Sequence, residues 1–125
     1  MKITSTTSMV ILAILVLAVL IGAGALKNNF VPSEYDDFAK GLTDAGVVLY
    51  GSYWCPKCLE QKEMFGSAVQ YLNYVECSSP GSRDFDLCEG ITSVPLWAGA
   101  DGSGLKGKQS LEDLSGFFGV SLNDE

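Results

Sequence analysis

Hydrophobic positions along the chain form one long unbroken run followed by several short ones. Met9 to Leu26 (MVILAILVLAVLIGAGAL) holds no charged or hydrogen-bonding side chain. Crossing a bilayer takes about 20 apolar residues, with about 17 as the lower limit, so residues 9–26 qualify as a membrane anchor. A cleaved signal peptide is the alternative. Ala23-Gly24-Ala25 is a small-residue cleavage site, although the run exceeds the usual apolar core of about 7–15 residues. Lys2 precedes the run, and every acidic residue follows it, from Glu34 onward. That asymmetry leaves residues 1–8 in the cytoplasm and exports the rest, single-pass if the leader stays and secreted if it is cleaved. A buried core helix does not fit, because so small a domain cannot surround a helix that is apolar on every face.

The chain turns polar at Lys27, and residues 27–32 read as a linker to a domain over 33–125. Ser33 with Asp36 forms the pattern of a capping box, predicting a helix over about 34–42 with Tyr35, Phe38, Ala39 and Leu42 on one face. Gly46-Val47-Val48-Leu49-Tyr50 is a continuous apolar run suited to a strand buried on both faces. Pro56 opens a second helix through about Leu72, interrupted by Gly66. Tyr74-Val75-Glu76 is a short strand. Strand, helix and strand in this order predict parallel pairing, which puts Cys77 on the same edge of the sheet as Cys55. Arg83 to Glu89 is predicted as a short helix, Leu96-Trp97-Ala98 as a turn region and Gly104 to Gln109 as a hairpin. Ser110 with Asp113 caps a last helix through about Phe118. No internal repeat is visible.

Composition narrows the chemistry. The 125 residues include four cysteines and no histidine, which excludes His-based triads and His-ligated zinc or haem. Fifteen acidic against eight basic residues give a net charge of −7, which argues against a nucleic-acid partner. The acidic surface reads most simply as a solvated face. No pattern requires a metal or a cofactor.

The chemistry concentrates at Cys55-Pro56-Lys57-Cys58. A dithiol at a strand-to-helix turn places its first sulfur against unpaired N–H groups and the positive end of the helix dipole, which favour a thiolate. Cys55 is the candidate nucleophile and Cys58 the resolving thiol, with Lys57 adding positive charge. A structural Cys55–Cys58 disulfide is one rival reading. A zinc site of Cys55, Cys58, Cys77 and Cys88 is another, but its second half lacks the paired spacing. Leu59 follows Cys58 where a haem attachment site requires His.

The stretch Tyr50-Gly51-Ser52-Tyr53-Trp54-Cys55-Pro56-Lys57-Cys58, the following Gln61-Lys62-Glu63-Met64-Phe65-Gly66, Tyr74-Val75-Glu76-Cys77, Leu87-Cys88, Val94-Pro95 and Gln109-Ser110-Leu111-Glu112-Asp113-Leu114 resemble the thioredoxin-like domain associated with vitamin K epoxide reductase homologues. The resemblance covers nearly all of 33–119. It implies an α/β thioredoxin-like fold, a central mixed sheet with flanking helices behind one transmembrane or signal helix. Pro95 would match the cis-proline beside the active disulfide, and Trp54 the aromatic before the first cysteine. It also implies a disulfide relay: a vitamin K epoxide reductase-like membrane partner oxidises Cys55–Cys58, and the domain passes the disulfide to exported cysteine-containing proteins. The opposite direction, a reductase fed by a membrane electron carrier, stays open, as does a non-catalytic interaction module. Two positions depart from the family. Lys57 stands where His is common, and Leu49 stands where many thioredoxins carry a carboxylate, leaving water or Glu60 to take the proton of Cys58.

Cys77 and Cys88 flank a Ser-, Gly- and Asp-rich segment. A structural disulfide is the favoured reading in an oxidising compartment, worth about 3 kcal/mol on a loop-entropy estimate. A second redox pair is the rival. Around a cis Pro95, the backbone of Val94 would be free to pair with an extended substrate segment, with Tyr53, Trp54 and Trp97 as an apolar collar. An ordinary loop proline and simple core packing of Trp97 are the plainer alternatives.

Overall fold

A computed structural model describes residues 5–25 and 32–123, with the side chains of 21–25 excepted. The chain divides into two compact units, Met1–Val31 and Pro32–Glu125. The linker at 27–31 and the last two residues lie outside the described residues.

In the first unit, helix α1 runs from Ser5 to Ala25. It begins four residues before the apolar run, because Ser5 to Ser8 continue the same helical turns. Every large apolar side chain from Met9 to Leu20 is at least 50% exposed. Among the described residues no helix is long and apolar enough to cross a membrane. The helix expected at the leader is present, but a transmembrane span is not established.

The second unit is an α/β domain. Helix α2 is Asp36–Asp44, strand β1 Val48–Gly51, helix α3 Pro56–Phe65, a 3₁₀ segment Gly66–Tyr71, then β2 Tyr74–Glu76, β3 Leu96–Ala98, β4 Gly104–Lys106 and helix α4 Leu111–Phe118. The sheet order is β2-β1-β3-β4. β1 pairs in parallel with β2, with Leu49 opposite Tyr74 and Gly51 opposite Glu76. It pairs antiparallel with β3, with Leu49 opposite Trp97, and β3 pairs antiparallel with β4. This mixed sheet with its helices is compatible with a thioredoxin-like fold.

Local chemistry explains the boundaries. The Ser33 hydroxyl accepts from the Tyr35 N–H, and the Ser33 carbonyl from Asp36, so the expected capping box is replaced by a turn and α2 starts at Asp36. Gly46 and Val47 belong to the turn that closes α2, donating to the Thr43 and Leu42 carbonyls, so β1 starts at Val48 and not at the expected 46. Ser110 caps α4 as its spacing predicts, its hydroxyl accepting from the Asp113 N–H at 3.1 Å. The second helix is not continuous to Leu72. Gly66 takes φ +55°, a conformation that side chains rarely adopt, and the chain continues as 3₁₀.

Two expectations are corrected. Leu96-Trp97-Ala98 is not a turn region but β3, a central strand; three residues between Pro95 and Gly99 carry too little periodicity to reveal it, and its pairing partners are remote. The hairpin is therefore β3 with β4, and only Gly104–Lys106 of the expected 104–109 is strand. Arg83–Glu89 is not a helix but a sequence of turns. Its polar groups are engaged elsewhere: the Asp84 carbonyl accepts from Ser78 Oγ, the Asp86 carboxylate from Ser79 N–H, and Leu87 N–H donates to the Cys77 carbonyl.

The core lies where α2, α3 and β3 meet. Phe65 stacks on Phe38 at 5.9 Å and tilts against Trp97 at 5.9 Å, with Leu42, Leu49 and Leu114 around them. Burying each such side chain stabilises the domain by about 1.5–3 kcal/mol, which anchors the C-terminal end of α3 against α2 and the sheet.

Candidate active site

Strand β1 ends at Gly51, and Ser52 to Trp54 turn the chain into α3. The turn closes by the Cys55 N–H donating to the Ser52 carbonyl at 3.0 Å. Cys55 is the N-cap of α3 with an extended backbone, and Pro56 follows at the first helical position, where its missing N–H has no consequence. In place of the usual hydroxyl cap, Cys55 Sγ accepts from the Cys58 N–H at 3.3 Å. Cys55 and Cys58 are both free thiols, 6% and 1% exposed.

The Val94–Pro95 peptide is cis. The Val94 carbonyl stands 3.8 Å from Cys55 Sγ, and Pro95 is buried. The structure thus brings Cys55, Pro56, Cys58, Val94 and Pro95 together. Burial pushes the Cys58 thiol up to about 12, with the hydrogen bond and charge of Cys55 adding to it, while the Ser52 backbone and Lys62 pull the other way.

Lys57 behaves differently from expectation. It is exposed and pairs with Glu60 Oε2 at 3.2 Å, so its charge is partly spent on that carboxylate rather than directed at Cys55. Glu60 also holds Lys108 at 2.7 Å. Its carboxyl is held below the usual range by Lys108 first and Lys57 second, a poor state for accepting a proton from Cys58.

Cys77 and Cys88 are joined by a disulfide with a Cα–Cα distance of 4.9 Å. The loop between them forms the wall behind the aromatic pair that precedes Cys55. Trp54 stacks on Phe85 at 5.9 Å, and its indole N–H donates to Ser78 Oγ at 2.9 Å. Tyr53 donates its hydroxyl to the Ser82 carbonyl and accepts from the Gly81 N–H. An open hollow of about 370 Å³ lies there, bounded by Tyr53, Pro80 and Leu87 among others. Trp97 does not belong to a collar. It is 1% exposed, lies in the core and donates its indole N–H to Gln61 Oε1 at 3.1 Å.

Three residues escaped the sequence reading. Buried Gln61 accepts from Trp97 and from the Gln109 N–H at 2.7 Å and donates to the Gln109 carbonyl at 3.0 Å, tying α3 to β3 and to the segment before α4. Buried Ser78 meets Ser52 Oγ at 2.9 Å. Glu76, at the end of β2, accepts from the N–H groups of Tyr53 and Ser78 and from the Tyr74 hydroxyl. Gln61 occupies a core-facing helical position and Glu76 follows Tyr74 and Val75 at the end of β2, so a polar residue out of pattern was the available signal. Ser78 offered none.

A dithiol at the amino end of the helix that follows the first strand of a mixed sheet, beside a cis-proline, is a cysteine pair able to close a disulfide, in a setting compatible with a thioredoxin-like domain. No protein-family model matches the chain. It is similar to the thiol-disulfide oxidoreductase LTO1 of Arabidopsis thaliana, 40% identical over 92 residues, which cover 68% of this chain and 24% of the relative. The similarity is consistent with a thioredoxin-like domain. The chain spans about a quarter of the length of that relative.

Proposed function

We propose that the chain is a thiol–disulfide oxidoreductase whose working group is the Cys55–Cys58 pair. The observation that carries this reading is Cys55 Sγ at the N-cap of α3, accepting the Cys58 N–H and lying beside the Val94 carbonyl. A sulfur in that position receives its negative charge from an attack, or presents it for one, where helix N–H groups are already aimed at it. The Val94 backbone beside Cys55 is placed to pair with a substrate strand in extended conformation.

In this reading the domain works outside the cytoplasm as an oxidant. The apolar α1 is its anchor in a bilayer, and the buried Cys77–Cys88 disulfide suits an oxidising compartment. A vitamin K epoxide reductase-like membrane protein reoxidises Cys55–Cys58, and cysteine-containing exported proteins receive the disulfide. A substrate thiolate attacks Cys55 Sγ, Cys58 leaves as a thiolate, and a second substrate thiol displaces Cys55 to close the substrate disulfide. The two electrons stay on Cys55 and Cys58 until the membrane partner takes them.

The test is a Cys58→Ser chain expressed behind its own leader. It accumulates mixed disulfides between Cys55 and exported proteins, and Cys55→Ser abolishes them. A reduction potential of Cys55–Cys58 near about −120 mV marks the oxidant, and one near about −270 mV marks a reductase running the same chemistry backwards. No trapped species with either variant identifies a non-catalytic module.

A further inference from the structure

In either direction of exchange the second sulfur of the pair must carry negative charge. When a substrate thiolate attacks Cys55 Sγ of the oxidised pair, the Cys55–Cys58 bond breaks and Cys58 Sγ leaves with the electron pair. In the reverse direction the Cys58 thiol first gives its proton to water; its thiolate then attacks Cys55 Sγ and expels the substrate sulfur as a thiolate. Burial opposes that charge, since Cys58 is 1% exposed. Leu49 supplies no carboxylate, and Glu60 is engaged by Lys57 and Lys108.

One cation is placed to answer this. Lys62 lies one helical turn beyond Cys58 on α3, the spacing at which two side chains share a helix face. Among the described residues it makes no salt bridge; its ammonium instead sits 3.4 Å from the centre of the Tyr74 ring. That ring is fixed at both ends. Its hydroxyl donates to Glu76 Oε2 at 2.8 Å, while its edge lies so close to Gly51 that a Cβ there would stand 2.7 Å from Tyr74 Cε2. Ser52, next in the chain, hydrogen-bonds Cys58 through its backbone.

The titratable groups that face Cys58 are Cys55 at the start of the helix, Lys62 one turn on and Tyr74 from β2, with Glu76 behind the phenol. Lys62 acts on Cys58 in the direction of the thiolate, and the Tyr74 phenol feels the charges of both cysteines. Glu76 is held in turn by the N–H groups of Tyr53 and Ser78.

We propose that Lys62, seated on the Tyr74 ring and backed by Glu76, is the cation that stabilises the Cys58 thiolate during disulfide exchange, a role that rests on the oxidoreductase reading above. Lys62 keeps its proton throughout, and water takes or supplies the proton of Cys58. Tyr74 and Glu76 are positioning residues that keep the ammonium over one spot. The cation serves attack by Cys58 and departure of Cys58 alike, so it speeds exchange without choosing its direction.

The test uses the full chain with Cys55→Ser, in which Cys58 is the one remaining free thiol and its Cβ resonance is followed against pH by NMR. Lys62→Met raises the Cys58 midpoint by about one unit, and Lys62→Arg restores it. With both cysteines present, Lys62→Met slows reduction of the Cys55–Cys58 disulfide by dithiothreitol by about threefold, because a more basic thiol leaves more slowly. An unchanged midpoint in Lys62→Met, or a shift as large in Lys62→Arg, overturns the proposal. A shifted midpoint in a chain that passes no disulfide to protein thiols supports the pairing of Lys62 with Cys58 and sinks the oxidoreductase reading instead.

Discussion

The domain carries two cysteine pairs, and the fold treats them in opposite ways. Cys55 and Cys58 sit within one helical turn, with one sulfur capping the helix and neither committed to a bond. Cys77 and Cys88 sit at the two ends of an irregular loop and are bonded to each other. In the first pair Cys55 Sγ lies between a helix N–H that donates to it and the Val94 carbonyl. The second is surrounded by the backbone that its bond holds in place, including Ser78, which carries hydrogen bonds to Ser52 and to the Trp54 indole. The same element can therefore be a reactant in one place and a fastener in another, and its setting decides which.

The sharpest way to break this contrast is to remove the fastener. Cys77→Ser/Cys88→Ser is expected to lower stability by about 3 kcal/mol, read from denaturant unfolding of the reduced and oxidised chains. Its rate of exchange through Cys55–Cys58 should fall only as far as the Tyr53–Trp54 segment loosens. A variant that keeps its stability but loses exchange altogether would make Cys77–Cys88 a second redox pair.

A pH titration separates the pairs next. Folding pushes the Cys58 thiol from 9.0 up to about 12, burial being the main cause. The folded chain then keeps a proton that the unfolded chain releases, so the stabilising contribution is full below about pH 9 and lost as pH rises toward about 12. The reduced chain should therefore lose melting temperature over that window faster than the chain with Cys55–Cys58 oxidised. Equal slopes would mean that the fold does not hold Cys58 as a thiol. The smallest effect is expected at the joint between the two regions. Ser78→Ala strips the Trp54 indole N–H of its acceptor and should cost about 1–2 kcal/mol, with exchange slowed modestly; a neutral result would uncouple the loop from the site.

Much of this arrangement was legible in the chain itself. The apolar run before Gly51, Pro56 after a cysteine, and the strand-helix-strand order carry local signals strong enough to place Cys55 and Cys58 at a helix start and β1 parallel to β2. The hydroxyl at Ser110 three residues before Asp113 did the same for α4. Residues whose state depends on remote partners were not legible. Leu96-Trp97-Ala98 becomes a strand because β1 and β4 flank it, and 83–89 fails to form a helix because Ser78, Ser79 and Cys77 claim its polar groups. Glu60 illustrates the same limit at the site. Its nearness to Cys58 in sequence suggested a base, but Lys108, 48 residues away, claims its carboxylate.

Gly66 has a further consequence, one of length. The segment between β1 and β2 must bring the chain back to its starting level, since Leu49 lies beside Tyr74. The ten residues of α3 rise about 15 Å, close to the height of about 13 Å that four residues of β1 climb. Gly66 thus sets the length of α3: its backbone leaves the helical conformation there, so a helix that begins beside Cys55 and Cys58 rises about as far as the four residues of β1 climb.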